Sequence, residues 1–305
     1  MQHVIIPVLA GPTASGKTAL ALSCEALPVE IVSADAMLVY QDMNIGTAKP
    51  STAERQKLPH HLIDIISPAE NFSVASYVEK AESAIEDILG RGKIPLVVGG
   101  TGFYIRALSE GLPTVPSADE AVQARFWERF RREGIEPLDA LLKAFSPEDS
   151  ERAQRNPRRV IRALEIIERT GKAPSSFGMT KPKFSYQKAI LLPDSEKLEA
   201  RIKDRTRAMF GAGLIEEVKS LLKRYPERPT AMQAIGYKEV IDYLEGKFDL
   251  ATLEEKISLA TLQYAKRQRT WFRKEPRVGL ILTEVDGGGF GLWLEPFLPK
   301  PSFKR

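Results

Sequence analysis

The chain has 305 residues, 43% of them hydrophobic and 28% charged, with a formal net charge of +4. That is ordinary for a folded protein of one large or two modest domains, and no apolar stretch approaches the length of a membrane-spanning helix. The lone cysteine, Cys24, excludes an intrachain disulfide, and three histidines (His3, His60, His61) with one cysteine exclude a typical structural zinc site.

The first apolar run, Val4–Ala10, is too short for a secretory signal and predicts a strand. Gly11-Pro12-Thr13-Ala14-Ser15-Gly16-Lys17-Thr18 follows it and fits G-x-x-x-x-G-K-[ST], the phosphate-binding P-loop. Its glycines allow tight curvature, so that successive N–H groups face an anion at the start of the next helix. Lys17 is placed to reach a terminal phosphate, Thr13 and Ser15 to add donors, and Thr18 to offer a hydroxyl to Mg²⁺. Cys24 falls among Ala and Leu on that helix, as a packed thiol does.

The run Glu30–Ser33 predicts a second strand, with Asp35 just beyond its carboxyl end. Ligands of open α/β sheets bind at that edge, so Asp35 is expected to face the phosphate site as a metal-linked carboxylate or proton acceptor, or else to cap a turn. Gly46–Pro50 and Pro59–Asp64 read as polar loops. A helix is predicted from an N-cap at Ser73 through Leu89, stopped by Gly90-Arg91-Gly92. Ile94–Val98 predicts a further strand. Gly99-Gly100-Thr101-Gly102 then makes a turn that either lets backbone approach a ligand, with Thr101 offering its hydroxyl, or is simply tight. This strand does not end in the acidic residue of a Walker-B strand, which argues against an ATPase.

Beyond Gly111–Pro116 the pattern turns helical to about Gly171, then loop-like to Tyr186, with a strand at Ala189–Leu192 and long helices from Ser195. Gly287-Gly288-Gly289 reads as a short flexible turn, and the last few residues as loosely held. The fold class is therefore α/β: a P-loop-type parallel sheet covered by helices, with an inserted helical domain. Residues 1–114 and 191–305 form the catalytic core, and 115–190 the insertion. Two basic stretches are read either as solvated helix faces or as the footprint of a polyanionic partner. One holds Arg152, Arg155, Arg158, Arg159 and Arg162. The other holds Lys266, Arg267, Arg269, Arg273, Lys274 and Arg277, interleaved with Trp271 and Phe272.

Seven strings, in order, resemble the bacterial tRNA dimethylallyltransferase family: GPTASGKT at 11–18, SADAMLVYQDMNIGTAKP at 33–50, HHLIDI at 60–65, VGGTGFYI at 98–105, NPRRVIRALEI at 156–166, AIGYKEVIDYLEG at 234–246 and KRQRTWFR at 266–273. Eukaryotic members carry a C-terminal zinc finger whose ligands this sequence lacks, so the likeness is to the shorter bacterial form. The resemblance implies transfer of a dimethylallyl group from its diphosphate to N6 of adenosine 37, in tRNAs reading codons that begin with U. It also implies Mg²⁺ as cofactor, and the anticodon stem-loop of tRNA and dimethylallyl diphosphate as partners. On that reading the P-loop, Gly11 to Thr18, holds the leaving diphosphate, with Lys17 offsetting its charge and Thr18 contributing to the metal. Asp35 takes the amine proton as the C–N bond forms, and Thr101 orients the amine or donor. Asp35, Ala36, Met37 and Leu38 surround the flipped base, and Gln41 reads its edge. Arg125, Arg158, Arg159, Arg162 and the 266–273 stretch meet the RNA backbone. A cytoplasmic monomer is expected. Two other readings share the P-loop: a small-molecule or nucleoside kinase with the insertion as its lid, and an RNA-binding switch that responds to nucleotide.

Overall fold

A computed structural model describes residues 4–298; the expectations for His3 and for the last few residues lie outside them. In chain order the elements are β1 (Ile5–Ala10), α1 (Lys17–Leu22), β2 (Val29–Ser33), α2 (Thr52–Lys57), β3 (His60–His61), α3 (Val74–Gly90), β4 (Ile94–Gly99) and α4 (Gly102–Glu110). Then come α5 (Glu120–Glu133), α6 (Glu136–Phe145), α7 (Pro147–Ala153) and α8 (Pro157–Thr170). The chain closes with β5 (Ser185–Leu191), α9 (Ser195–Gly211), α10 (Leu214–Arg224), α11 (Tyr237–Leu244), α12 (Leu250–Phe272), β6 (Val278–Leu282) and α13 (Gly287–Leu294).

Two compact units result: residues up to Ser109 with those from Lys183 onward, and Glu110–Pro182. In the first, the strands lie in the order β3-β2-β4-β1-β5-β6, and every pairing is parallel. β1 is central, with Val8 opposite Val97 of β4 and Lys188 of β5. Strands buried on both faces are apolar along their whole length. Ile6, Val8, Val32 and Val97 meet α3 and α4 on one face, while Leu9, Ile31 and Leu96 meet α1 and α13 on the other. Ser73 caps α3 by accepting the Ser76 amide. A third cluster joins α9 to α12 around Met43, Leu214, Val218 and Tyr237.

The second unit packs α5 to α8 around Leu138, Leu142, Val160 and Ile161. Glu165, fully buried, takes the Asp119 amide at 2.7 Å and pairs with Arg162 at 2.6 Å and Arg169 at 3.1 Å.

Four expectations are corrected. The helical unit runs 110–182 rather than 115–190, because Ser185–Leu191 pairs with β1 as an interior strand. That strand begins at Ser185, not Ala189: its early residues include polar ones, but Tyr186 and Lys188 are buried, Lys188 against Glu275 at 2.7 Å. His60 and His61 form a two-residue strand beside β2 instead of loop. Gly287-Gly288-Gly289 opens a helix, because Asp286 accepts the Gly289 amide as its N-cap.

Candidate active site

The P-loop leaves the carboxyl end of β1, where the sheet's connections diverge and open α/β sheets bind ligands. Gly16 adopts φ +100°, a left-handed conformation that favours glycine. The helix that follows is only six residues long, so its contribution to anion binding lies in its first N–H groups. Lys17 folds back into the loop: Nζ donates to Gly11 O at 2.9 Å and Pro12 O at 2.7 Å, with Ser15 Oγ at 3.5 Å. Burial lowers its pKa to about 8, against the opposing pull of the Asp35 charge.

A cavity of about 420 Å³ opens on this loop. Thr13 to Thr18 line it, with Asp35 and Leu38 after β2, Thr47 to Pro50, and Val98 to Gly100 at the end of β4. Asp35 Oδ1 accepts the Met37 amide at 2.9 Å, and Thr101 Oγ1 accepts the Ala36 amide at 3.0 Å. Thr101 thus sets the backbone beside Asp35. Thr18 is exposed at the lip.

Four lining residues come from helices far along the chain: Arg201 and Arg205 of α9, and Tyr264 and Gln268 of α12. Arg201 donates to Ser15 O at 2.8 Å, and Arg205 to Thr13 Oγ1 at 2.8 Å. Burial pushes the Arg205 pKa down, and the Asp35 charge opposes it. Gln268 accepts from Thr13 N at 2.8 Å and donates to Gly100 O at 2.7 Å. The Tyr264 phenol is raised to about 12 by burial and then by the Asp35 charge, so it stays neutral.

The glycines after β4 serve packing. A Cβ on Gly100 would meet Gln268 Nε2 at 2.7 Å, and one on Gly102 would meet the Trp271 indole at 2.3 Å. Trp271 is in turn covered by the Arg106 guanidinium, 4.1 Å from its ring centre. Lys49 is nearly buried, donates to Tyr40 O at 2.7 Å and pairs with Asp64, which Arg55 also holds at 2.8 Å. The strings GTAKP and HHLIDI therefore meet at one ion pair.

A sequence profile described as IPP transferase matches residues 38–275. A tRNA dimethylallyltransferase of Thermus thermophilus is 52% identical over 95% of this chain and 97% of its own length. The chain belongs to the tRNA dimethylallyltransferase family. A relative of the same name in Deinococcus radiodurans is 45% identical over 90% of this chain and 92% of its own. Among solved structures, the full-length tRNA isopentenylpyrophosphate transferase of Bacillus halodurans superposes with a TM-score of 0.68 at 34% identity, over 95% of this chain and 93% of that one. A eukaryotic dimethylallyltransferase described as acting on tRNA gives 0.75 at 31% identity, over 88% of this chain and 70% of that one. These likenesses do not favour a kinase.

Within the family reading, the residues assigned to donor and base fall together. Gln41 does not join them: it donates to Asp64 O at 3.2 Å and lines a neighbouring cavity with Lys49 and Pro50. In the helical unit Arg158, Arg159 and Arg162 line one cavity with Arg152. Arg125 does not line that cavity and pairs with Glu168. Arg162 is also committed to Glu165 and Pro116 O. In the 266–273 stretch, Lys266, Arg267, Thr270 and Arg273 face outward while Gln268 and Phe272 face in. Sequence reasoning missed Arg201, Arg205 and Tyr264 and did not single out Gln268 within the 266–273 stretch. The signal for the last two was the i, i+4 spacing of Tyr264 and Gln268, which puts both on one helix face.

Proposed function

We propose that the chain transfers a dimethylallyl group from dimethylallyl diphosphate to N6 of adenosine 37, in tRNAs reading codons that begin with U, and releases diphosphate. Family membership gives dimethylallyl transfer to tRNA. The observation that carries the chemistry is that a carboxylate, Asp35, lines one cavity with Lys17 of the P-loop and with Arg201 and Arg205 of α9. Lys17 and Arg205 would bind the diphosphate and offset its growing charge as the C1–O bond breaks. Leu38, Val98 and Pro50 give that cavity an apolar side suited to a five-carbon chain. The adenine amine is a poor nucleophile, with its lone pair delocalised into the ring. Asp35 accepts its hydrogen bond and takes the proton as the C–N bond forms. Excluding water protects the allyl donor from hydrolysis.

Mg²⁺ fits as a partner of the diphosphate. Thr18 offers one hydroxyl, and no cluster of three metal-ligating side chains occurs among the described residues. That donor set suits an ion held chiefly by phosphate oxygens and water. Bound there, it would supply further charge neutralisation on the leaving group.

Among the described residues no helix is long and apolar enough to cross a membrane, and we take the protein to act in the cytoplasm as a monomer. The test incubates protein, Mg²⁺ and tRNA with labelled dimethylallyl diphosphate or labelled ATP. Allyl label in tRNA supports the reading; ATP turnover without allyl transfer overturns it.

A further inference from the structure

Residues 35–50 carry Asp35 and line part of the cavity yet form no helix, and their one strand-like contact is an isolated bridge between Tyr40 and Ile66. Such a segment keeps its shape only if something outside it takes up its backbone groups. Residues 64–66 do so for Leu38, Val39 and Gln41, and the helices α10 and α11 do so for the stretch that follows. Met43 is fully buried in their cluster, with Met37, Tyr40 and Ile45 packed against it. The polar half of the attachment is Glu217 of α10. Its Oε2 accepts the amides of Asn44 at 3.0 Å and Ile45 at 2.8 Å, and its Oε1 that of Gly46 at 3.2 Å. Tyr237 of α11 donates its hydroxyl to Oε1 at 2.6 Å. Gly46 makes room for that ring, since a Cβ there would lie 2.4 Å from it. Arg224 of α10 also pairs with Asp42.

Three successive amides converging on one carboxylate form an anion-binding concavity in the backbone, filled by a side chain of the same chain. We propose that Glu217, supported by Tyr237, is a positioning residue for the tRNA side of the reaction, holding the loop that carries Asp35 to Leu38 at the height the incoming base requires. This rests on the functional reading above. The diphosphate cradle is built separately: Lys17, Arg201 and Arg205 bond to residues 11–15. Loss of the clamp therefore acts on tRNA and leaves the hold on the donor's diphosphate, the charged part that dominates its binding, in place. Only a carboxylate offers acceptors to all four donors, because the amide of a glutamine turns an N–H₂ toward them.

The experiment compares the wild type with Glu217→Ala, Glu217→Gln and Tyr237→Phe, using labelled dimethylallyl diphosphate, a tRNA transcript and active-site titration. Donor affinity is measured by calorimetry with dimethylallyl diphosphate and Mg²⁺ alone. Glu217→Ala is expected to raise the KM for tRNA about tenfold while kcat falls less than about threefold and the donor Kd moves less than about twofold. Glu217→Gln falls between, and Tyr237→Phe, which keeps the buried ring and loses only the hydroxyl, gives a smaller rise. An unchanged KM for tRNA, or equal weakening for tRNA and donor, overturns the clamp while wild-type transfer stands. Absence of allyl transfer by the wild type overturns the functional reading and this proposal with it.

Discussion

The side-chain oxygen of Gln268 accepts the amide hydrogen of Thr13 at 2.8 Å, across 255 positions of sequence. The same amide group donates to Gly100 O, so one buried side chain ties the P-loop to the turn after β4. Gln268→Ala leaves both backbone groups without these partners. The expected result is about a tenfold weaker donor Kd and a lower Tm. Gln268→Glu keeps the acceptor for Thr13 but brings a negative charge beside the diphosphate, and should weaken the donor at least as much. Calorimetry with dimethylallyl diphosphate checks both; an unaltered Kd in the alanine variant rejects the role.

Asp35→Ala removes the proposed proton acceptor while leaving the hydrogen bonds of the cradle in place. Single-turnover transfer should fall by about 10²–10⁴, with donor and tRNA affinities held within about threefold. Near-normal single-turnover chemistry would falsify the assignment of Asp35 as base.

The buried Lys17 ammonium titrates near pH 8 in the free protein. A bound diphosphate favours the charged form and raises that pKa, so donor affinity is full below pH 8. Above it, binding must take up a proton, and Kd rises by up to about tenfold per pH unit. Calorimetry at pH 9 in buffers of different ionisation enthalpy should report uptake approaching one proton. Lys17→Arg, which stays charged, should flatten the profile.

Glu30, buried at the start of β2, accepts from Arg91 at 2.5 and 2.7 Å, Lys93 at 2.7 Å and His61 at 2.7 Å. The Arg91 hydrogen bonds hold its carboxyl well below the usual range. Its stabilisation is thus present above the unfolded-state pKa and lost as pH falls through the folded one. Glu30→Gln should lower Tm by about 2–4 °C at pH 7, and the gap to wild type should narrow as the medium is acidified below pH 4. A gap that widens with acid rejects the account.

Arg158 lines the arginine-rich cavity of the helical unit, with no side-chain hydrogen bond or ion pair among the described residues. Arg158→Ala should weaken tRNA binding and reduce the slope of log affinity against log salt by about one. Filter binding across a salt series measures this, and an unchanged slope removes Arg158 from the phosphate contacts.

Much of the core was legible because interior parallel strands are apolar on both faces. Ile5–Ala10 and Ile94–Gly99 announce themselves as runs. The margins were not. Val278–Leu282 alternates half-buried and exposed residues on the edge beside β5, and His60-His61 is a strand only because β2 lies next to it. Pairing, rather than local preference, makes both. Gly287–Gly289 misled for a related reason, since three glycines favour coil until the cap at Asp286 and the packing of Phe290 offset their entropy.

The sequence by itself determined the phosphate loop, the carboxylate beyond the second strand, the interruption of an α/β core by helices, and the family through seven strings in order. Those are local patterns, written in spacing and residue type. Only the tertiary structure decided that Arg201, Arg205, Tyr264 and Gln268 close the cavity. It also turned the glycines after β4 toward α12 as a packing surface, and set Glu217 against the loop at 44–46. Each of these joins segments far apart in the chain, and which face of α9, α10 or α12 turns inward is set by burial against the sheet and by helix packing, which no single helix's own sequence encodes.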